Sequence, residues 1–137
     1  MQKFYDGYWN QYLPKLKDPK FSLPGTEAVL RARPPVLSQE LIDLIVKDEK
    51  QSKATGEVGN LDFDPFLNSQ DPEGKYLVTK VEASNATCKA TIAHAHIVAE
   101  LKLSGASWIF VNFHYSYFTP AGKKDAPDAD LLQILKQ

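Results

Sequence analysis

The hydrophobic period of this chain changes once, near Lys75, and that change limits what it can fold into. Before it, apolar residues recur at helical spacing; after it, they alternate. Helices followed by a run of strands read as an α+β domain. Between the two halves lies Leu61-Asp62-Phe63-Asp64-Pro65-Phe66-Leu67-Asn68-Ser69-Gln70-Asp71-Pro72, where acidic, aromatic and Pro residues alternate too densely for an ordinary linker. At 137 residues the chain is one domain, residues 1–137, long enough to bury about two-thirds of its unfolded surface.

The helical half opens on an aromatic stripe. Phe4, Tyr8 and Tyr12 recur at helical spacing, flanked by Tyr5 and Trp9, and predict an amphipathic helix from Lys3 to about Leu13. Such a stripe covers a sheet and builds core; of its rings, Tyr5 and Trp9 are the candidates for lining a pocket. Pro14, Pro19, Pro24-Gly25 and Pro34-Pro35 then break the chain repeatedly. Thr26 to Arg33 fits a short helix with Thr26 as its N-cap, and Arg31 and Arg33 read as solvated surface. Ser38 caps a second helix with Glu40 in its first turn. Leu41, Leu44 and Ile45 form the buried face, Lys47 to Lys53 reads as solvent-facing, and Gly56 and Gly59 mark the end and the exit loop.

In the second half Tyr76–Ala83 predicts a strand, Ser84-Asn85 a turn, and Ala86–Ile92 a strand with Ala86, Cys88, Ala90 and Ile92 on one face. Ile97–Leu103 and Ala106–Tyr117 predict two more. In the last of these Trp108, Phe110, Asn112 and His114 share one face, and Ile109, Val111, Phe113 and Tyr115 the other. A strand apolar on both faces is central or covered from outside, so a homodimer through the sheet is one expectation. Thr119–Asp128 reads as a polar loop, and Asp130–Lys136 as a short closing helix.

Candidate chemistry is sparse. Asp62, Asp64, Asn68 and Asp71 are oxygen-bearing and close together, but Pro65, Phe66 and Leu67 stand where a calcium loop needs ligands and Gly. They read as caps of backbone amides, so no metal site is expected. His94 and His96 lie on one face of a strand and read as surface residues. The single cysteine, Cys88, excludes an internal disulfide and reads as core. His114 with Asp62 or Asp64 forms the one candidate acid–base pair. No P-loop, dinucleotide fingerprint or nucleophile elbow is present, and no cofactor is expected. A formal charge of −1, without a basic run, argues against nucleic acid as partner. No stretch is apolar for the ~20 residues a membrane span needs.

Five features together resemble the DUF3828 group of bacterial proteins within the NTF2-like superfamily. They are Phe4-Tyr5 with Tyr8-Trp9, Leu37-Ser38-Gln39-Glu40-Leu41, Leu61-Asp62-Phe63-Asp64-Pro65-Phe66-Leu67, Trp108-Ile109-Phe110-Val111-Asn112-Phe113-His114-Tyr115, and the Leu-rich C-terminus. The resemblance runs across nearly the whole chain. It implies a cone, in which N-terminal helices pack on a curved antiparallel sheet of about four strands, closed by a short C-terminal helix. It also implies a periplasmic or otherwise exported protein. Met1-Gln2 running straight into a helix fits a mature domain whose export signal has been removed, with a cytosolic location left open. The group carries no established catalytic residues. The leading expectation is therefore a non-enzymatic domain that binds a protein or a small molecule. Tyr5, Trp9, Asp62, Asp64, Trp108, Asn112 and His114 are its candidate pocket. An immunity-type inhibitor of a secreted bacterial toxin is one alternative. An enzyme of the NTF2-like isomerase or dehydratase kind is the other, and it needs an acid and a His converging on an apolar cavity.

Overall fold

The computed structural model describes residues 1–119 and 121–137. Its elements run α1 (Gln2–Tyr8), a 3-10 turn (Asn10–Lys15), α2 (Thr26–Arg31) and α3 (Gln39–Thr55). They continue with β1 (Lys80–Ser84), β2 (Thr87–Ile92), a second 3-10 turn (Ala93–Ala95), β3 (Ile97–Ser104), β4 (Ser107–Phe118), β5 (Lys124–Asp130) and α4 (Leu131–Leu135). The strands pair antiparallel in chain order, β1-β2-β3-β4-β5. The α+β architecture of N-terminal helices, antiparallel sheet and closing helix is present, with five strands where about four were expected.

The fifth strand lies largely inside the stretch that reads as a polar loop. Lys124–Asp130 contains no β-branched or aromatic residue, and its first five residues are exposed. It is an edge strand ordered by its ladder with β4. Pro127 falls between the Tyr117↔Ala126 and Tyr115↔Ala129 pairs, where the register is irregular and a missing N–H costs least. Pro120, in the same expected loop, lies outside the described residues. Asp130 ends β5 and caps α4, its side chain accepting from Gln133 N at 2.9 Å.

The first helix is shorter than its aromatic spacing predicts. It stops at Trp9 (φ −136°, ψ −57°) and continues as a 3-10 turn. The break frees two side chains for long-range hydrogen bonds. The Trp9 indole donates to Gly74 O at 2.7 Å; the buried Asn10 amide accepts from Tyr76 N at 2.7 Å and donates to Tyr76 O at 2.8 Å. The second correction mirrors the first. Tyr76–Val78 was expected to open a strand, yet the ladder starts at Lys80. Asn10 and Gln2 hold residues 76–78 instead, with Gln2 Oε1 accepting from Val78 N at 2.8 Å.

α3 follows its sequence signals. Leu41 N donates to Ser38 Oγ at 3.2 Å, and Gly56 closes the helix in the left-handed region (φ 71°). Thr26, by contrast, is the first residue of α2 rather than its cap, which is Gly25. Asp48, in the stretch read as solvent-facing, is buried at 7% exposure and turns back toward the exit loop.

A β-bulge in β4 corrects the face assignment. Leu101 pairs with Phe110 but Glu100 pairs with Asn112, so Val111 is the extra residue. The inserted residue shifts the alternation beyond it. Phe110, Phe113 and Tyr115 now share the inner face with Cys88, Ala90, Ile92, Ile97, Ala99 and Leu101, all buried. Asn112 and His114 leave the face of Trp108 and Phe110, and Phe113 leaves that of Ile109 and Val111.

α1 packs its rings onto this inner face. Phe4 lies 4.9 Å from Phe110 and 5.7 Å from Phe66, Phe66 lies 5.4 Å from Phe113, and Phe110 stacks on Phe113 at 5.0 Å. Phe66, Phe110 and Phe113 are buried and contribute about 1.5–3 kcal/mol each, and with the partly buried Phe4 they fill the space between α1 and β4. The opposite face is polar across its centre. Glu82, Lys89 and Glu100 lie in register, and His114 Nε2 stands 3.7 Å from Glu100 Oε1.

Candidate functional site

The acidic-aromatic stretch crosses the helical side of the sheet without regular structure, so its backbone groups need other partners. Aromatic hydroxyls supply many of them. Tyr5 Oη donates to Phe66 O at 2.9 Å, Tyr115 Oη to Pro65 O at 2.6 Å, and Tyr76 Oη to Leu67 O at 2.7 Å. Two carboxylates supply the amide side. Asp48 accepts from Asn60 N at 2.7 Å and Leu61 N at 3.1 Å, and Asp64 Oδ1 from Phe66 N at 2.9 Å and Leu67 N at 3.2 Å. Gly59 is fixed by the first of these: a Cβ there would stand 2.7 Å from Asp48 Oδ1.

Asp64 has the most unusual surroundings of any carboxyl in the chain. Tyr8 Oη donates to its Oδ2 at 2.6 Å. Burial pushes its pKa above the ordinary Asp range, and the hydrogen bonds from Tyr8, Phe66 and Leu67 offset this only in part. Burial and the neighbouring Asp64 charge push the Tyr8 hydroxyl well above its ordinary value, so Tyr8 remains a donor over the whole working pH range. Tyr5 and Tyr115 are raised for the same first reason, and burial takes Tyr76 up to about 12.

Two clefts open on either side of the Phe63-Asp64 segment. One, of about 510 Å³, is lined by Trp9, Leu23, Asp62, Phe63, Asp64, Leu67, Ser69, Gln70 and Pro72. The other, of about 470 Å³, lies between that segment and α3, where Ile45, Asp48, Ser52 and Lys53 face Leu61 and Pro65. Phe63 separates them, its ring edge-on to Tyr115 at 5.5 Å.

The structure gathers three of the expected pocket residues in the first cleft and disperses the other four. Trp9, Asp62 and Asp64 line it together, although Trp9, only 3% exposed, offers no more than an edge. Tyr5 is fully buried core. Trp108 lies at the open end of β4 opposite Leu103, and both are partly exposed. Asn112 is buried against α4, its Oδ1 accepting from Leu132 N at 3.1 Å. His114 is on the outer face beside Glu100, while its chain neighbour Tyr115 points inward to Pro65. The sheet therefore separates His114 from the cleft that holds Asp62 and Asp64, and His114 pairs with neither.

The His94/His96 pair also changes context. Ala93–Ala95 is a 3-10 turn rather than strand, and His96 adopts φ 55°. His94 packs edge-on to Tyr76 at 4.6 Å and His96 lies 4.7 Å from Phe118. Burial and His96 hold His94 below the ordinary His value. Among the described residues, no group of three or more His, Cys, Asp or Glu could hold a metal.

Sequence reasoning missed Tyr8 as the partner of Asp64, Asp48 as a buried cap, and Leu23 as a cleft wall. Tyr8 carried a signal, since it belongs to the aromatic stripe. Leu23 carried none, and Asp48 was hidden in a charged run. No protein-family model, curated protein or solved structure matches this chain.

Proposed function

We propose that this chain is a ligand-binding domain of the NTF2-like cone type, related to the DUF3828 group, that works by binding rather than turnover. Its binding site is the surface cleft beside Phe63 and Asp64. The observation that carries this reading is the contrast between two spaces. The interior between α1 and β4 is filled by Phe4, Phe66, Phe110 and Phe113, whereas Trp9, Asp62 and Asp64 line an open cleft of about 510 Å³ with apolar walls. The volume of this open cleft falls within the range of small-molecule sites. The enzymatic alternative loses its support with the separation of His114 from Asp64.

Export to the periplasm belongs to the same proposal and rests on the family resemblance. No helix among the described residues is long and apolar enough to cross a membrane.

The test is fragment screening by NMR on isotope-labelled protein. Amide shifts clustered at residues 62–72 and at the Trp9 indole support the reading. Shifts or self-association centred on Lys89, Glu100 and Ile109 would replace it with an interaction through the outer sheet face.

A further inference from the structure

We infer that the cleft beside Phe63 and Asp64 takes a small organic cation: a protonated amine carried on an apolar, preferably aromatic, body. The inference rests on the binding reading above and adds the chemical class of the ligand.

The walls provide the apolar part of the argument. Leu23, Phe63, Leu67 and Pro72, with an edge of Trp9, form most of the lining. The polar part is one-sided. Asp62 and Asp64 are its only titratable side chains, with no Lys, Arg or His among the lining residues. An anionic ligand would meet two carboxyls and no counter-charge, whereas a cation meets complementary charge.

The hydrogen-bonding inventory is mixed. Gln70 Nε2 donates one of its two N–H groups to Asp62 O at 2.8 Å, and Ser69 Oγ accepts from Asp71 N at 3.0 Å while keeping its own O–H as a donor. The Tyr8 hydroxyl, which reaches Asp64 from α1, spends its one proton on Oδ2. Gln70 keeps a second N–H and Ser69 its O–H, so what sets the cleft apart is the sign of its charge, which comes from the carboxyls of Asp62 and Asp64 alone among the lining residues. An ammonium group matches that charge and brings up to three donors for the carboxyl oxygens. Asp64 is the better anchor of the two. Its other oxygen is fixed by Phe66 N and Leu67 N, so a bond to it orders little that is not already ordered. Exposed Asp62 contributes attraction at longer range.

The experiment uses three probes of nearly equal shape: phenethylamine, 2-phenylethanol and phenylacetate. The chain has two tryptophans, so Trp108→Phe leaves Trp9 as the fluorescent reporter at the cleft wall. The amine is expected to bind at least about tenfold more tightly than the alcohol, since a hydrogen bond to a charged group adds that much. Phenylacetate is expected not to bind. Asp64→Asn, checked for folding by circular dichroism, should bring the amine down to the affinity of the alcohol. If that variant fails to fold, Asp62→Asn should weaken the amine by about threefold and leave the alcohol unchanged. Equal binding of amine and alcohol would overturn the cation assignment and keep the cleft as a binding site. A probe response that survives with phenylacetate alone, or no response to any of the three, would overturn the assignment as well. The fragment map then decides the fate of the cleft separately.

Discussion

In the sheet, backbone amides and carbonyls satisfy one another along five antiparallel strands; between Asn60 and Val78, side chains satisfy many of them one by one. Both regions reach full burial, as Phe113 in β4 and Phe66 in the irregular stretch show at 0% exposure each. The difference lies in what each arrangement leaves over. A ladder uses its polar groups in pairs and presents flat, repeating faces. Side-chain tethers let the chain bend around its own aromatics, leaving clefts on either side of Phe63.

If the two regions are equally structural, removing a buried ring from either should cost the same. Phe66→Ala is expected to destabilise by about 3–5 kcal/mol in urea unfolding, matching Phe113→Ala. A cost below about 1 kcal/mol at Phe66 would show that the irregular stretch merely rests on the core. The tethers themselves come next. Asn10→Ala leaves the buried amide of Tyr76 without a partner, and its carbonyl with only Gln2, which predicts a loss of about 2–3 kcal/mol.

The smallest effect concerns pH. The Asp64 carboxyl has a higher pKa in the folded chain than its ordinary value of 3.8, so the folded state holds the proton more tightly than the unfolded state. Its stabilising contribution is complete below the unfolded pKa and is lost as pH rises through the folded pKa. Asp64→Asn should therefore flatten the decline of stability with pH in that window, while keeping an oxygen for the Phe66 and Leu67 amides. Unfolding curves at stepped pH measure the slope. An unchanged slope would mean that burial does not govern this carboxyl.

The same contrast explains what could be read in the sequence. Alternation at Cys88, Ala90 and Ile92, and at Ile97, Ala99 and Leu101, placed β2 and β3 because each strand buries a single face. β5 escaped because an exposed edge leaves no hydrophobic pattern; its order comes from β4. The bulge at Val111 escaped because one extra residue has no local signature, and it moved Asn112 and His114 away from the expected pocket face. In the irregular stretch, the residue types were informative and the partners were not. Asp64 reads as an amide cap from its place before Pro65 and Phe66, but the Tyr8 hydroxyl reaches it from 56 positions away. Trp9 and the Asp62/Asp64 pair stood out as candidates because they are chemically conspicuous, and the fold places them along one cleft. Leu23, an ordinary residue in a Pro-broken segment, becomes a cleft wall only once the chain has folded.

Native-state amide hydrogen exchange tests the central claim most directly, that side chains lock the irregular stretch as firmly as a ladder locks the sheet. The amides of Phe66, Leu67 and Tyr76, whose partners are Asp64 and Asn10, are predicted to exchange only through global unfolding, with the same opening free energy as Ala99 and Leu101 in β3. Opening at a free energy lower by about 2 kcal/mol or more would contradict the claim, making the stretch a separately fluctuating unit and the cleft a transient one.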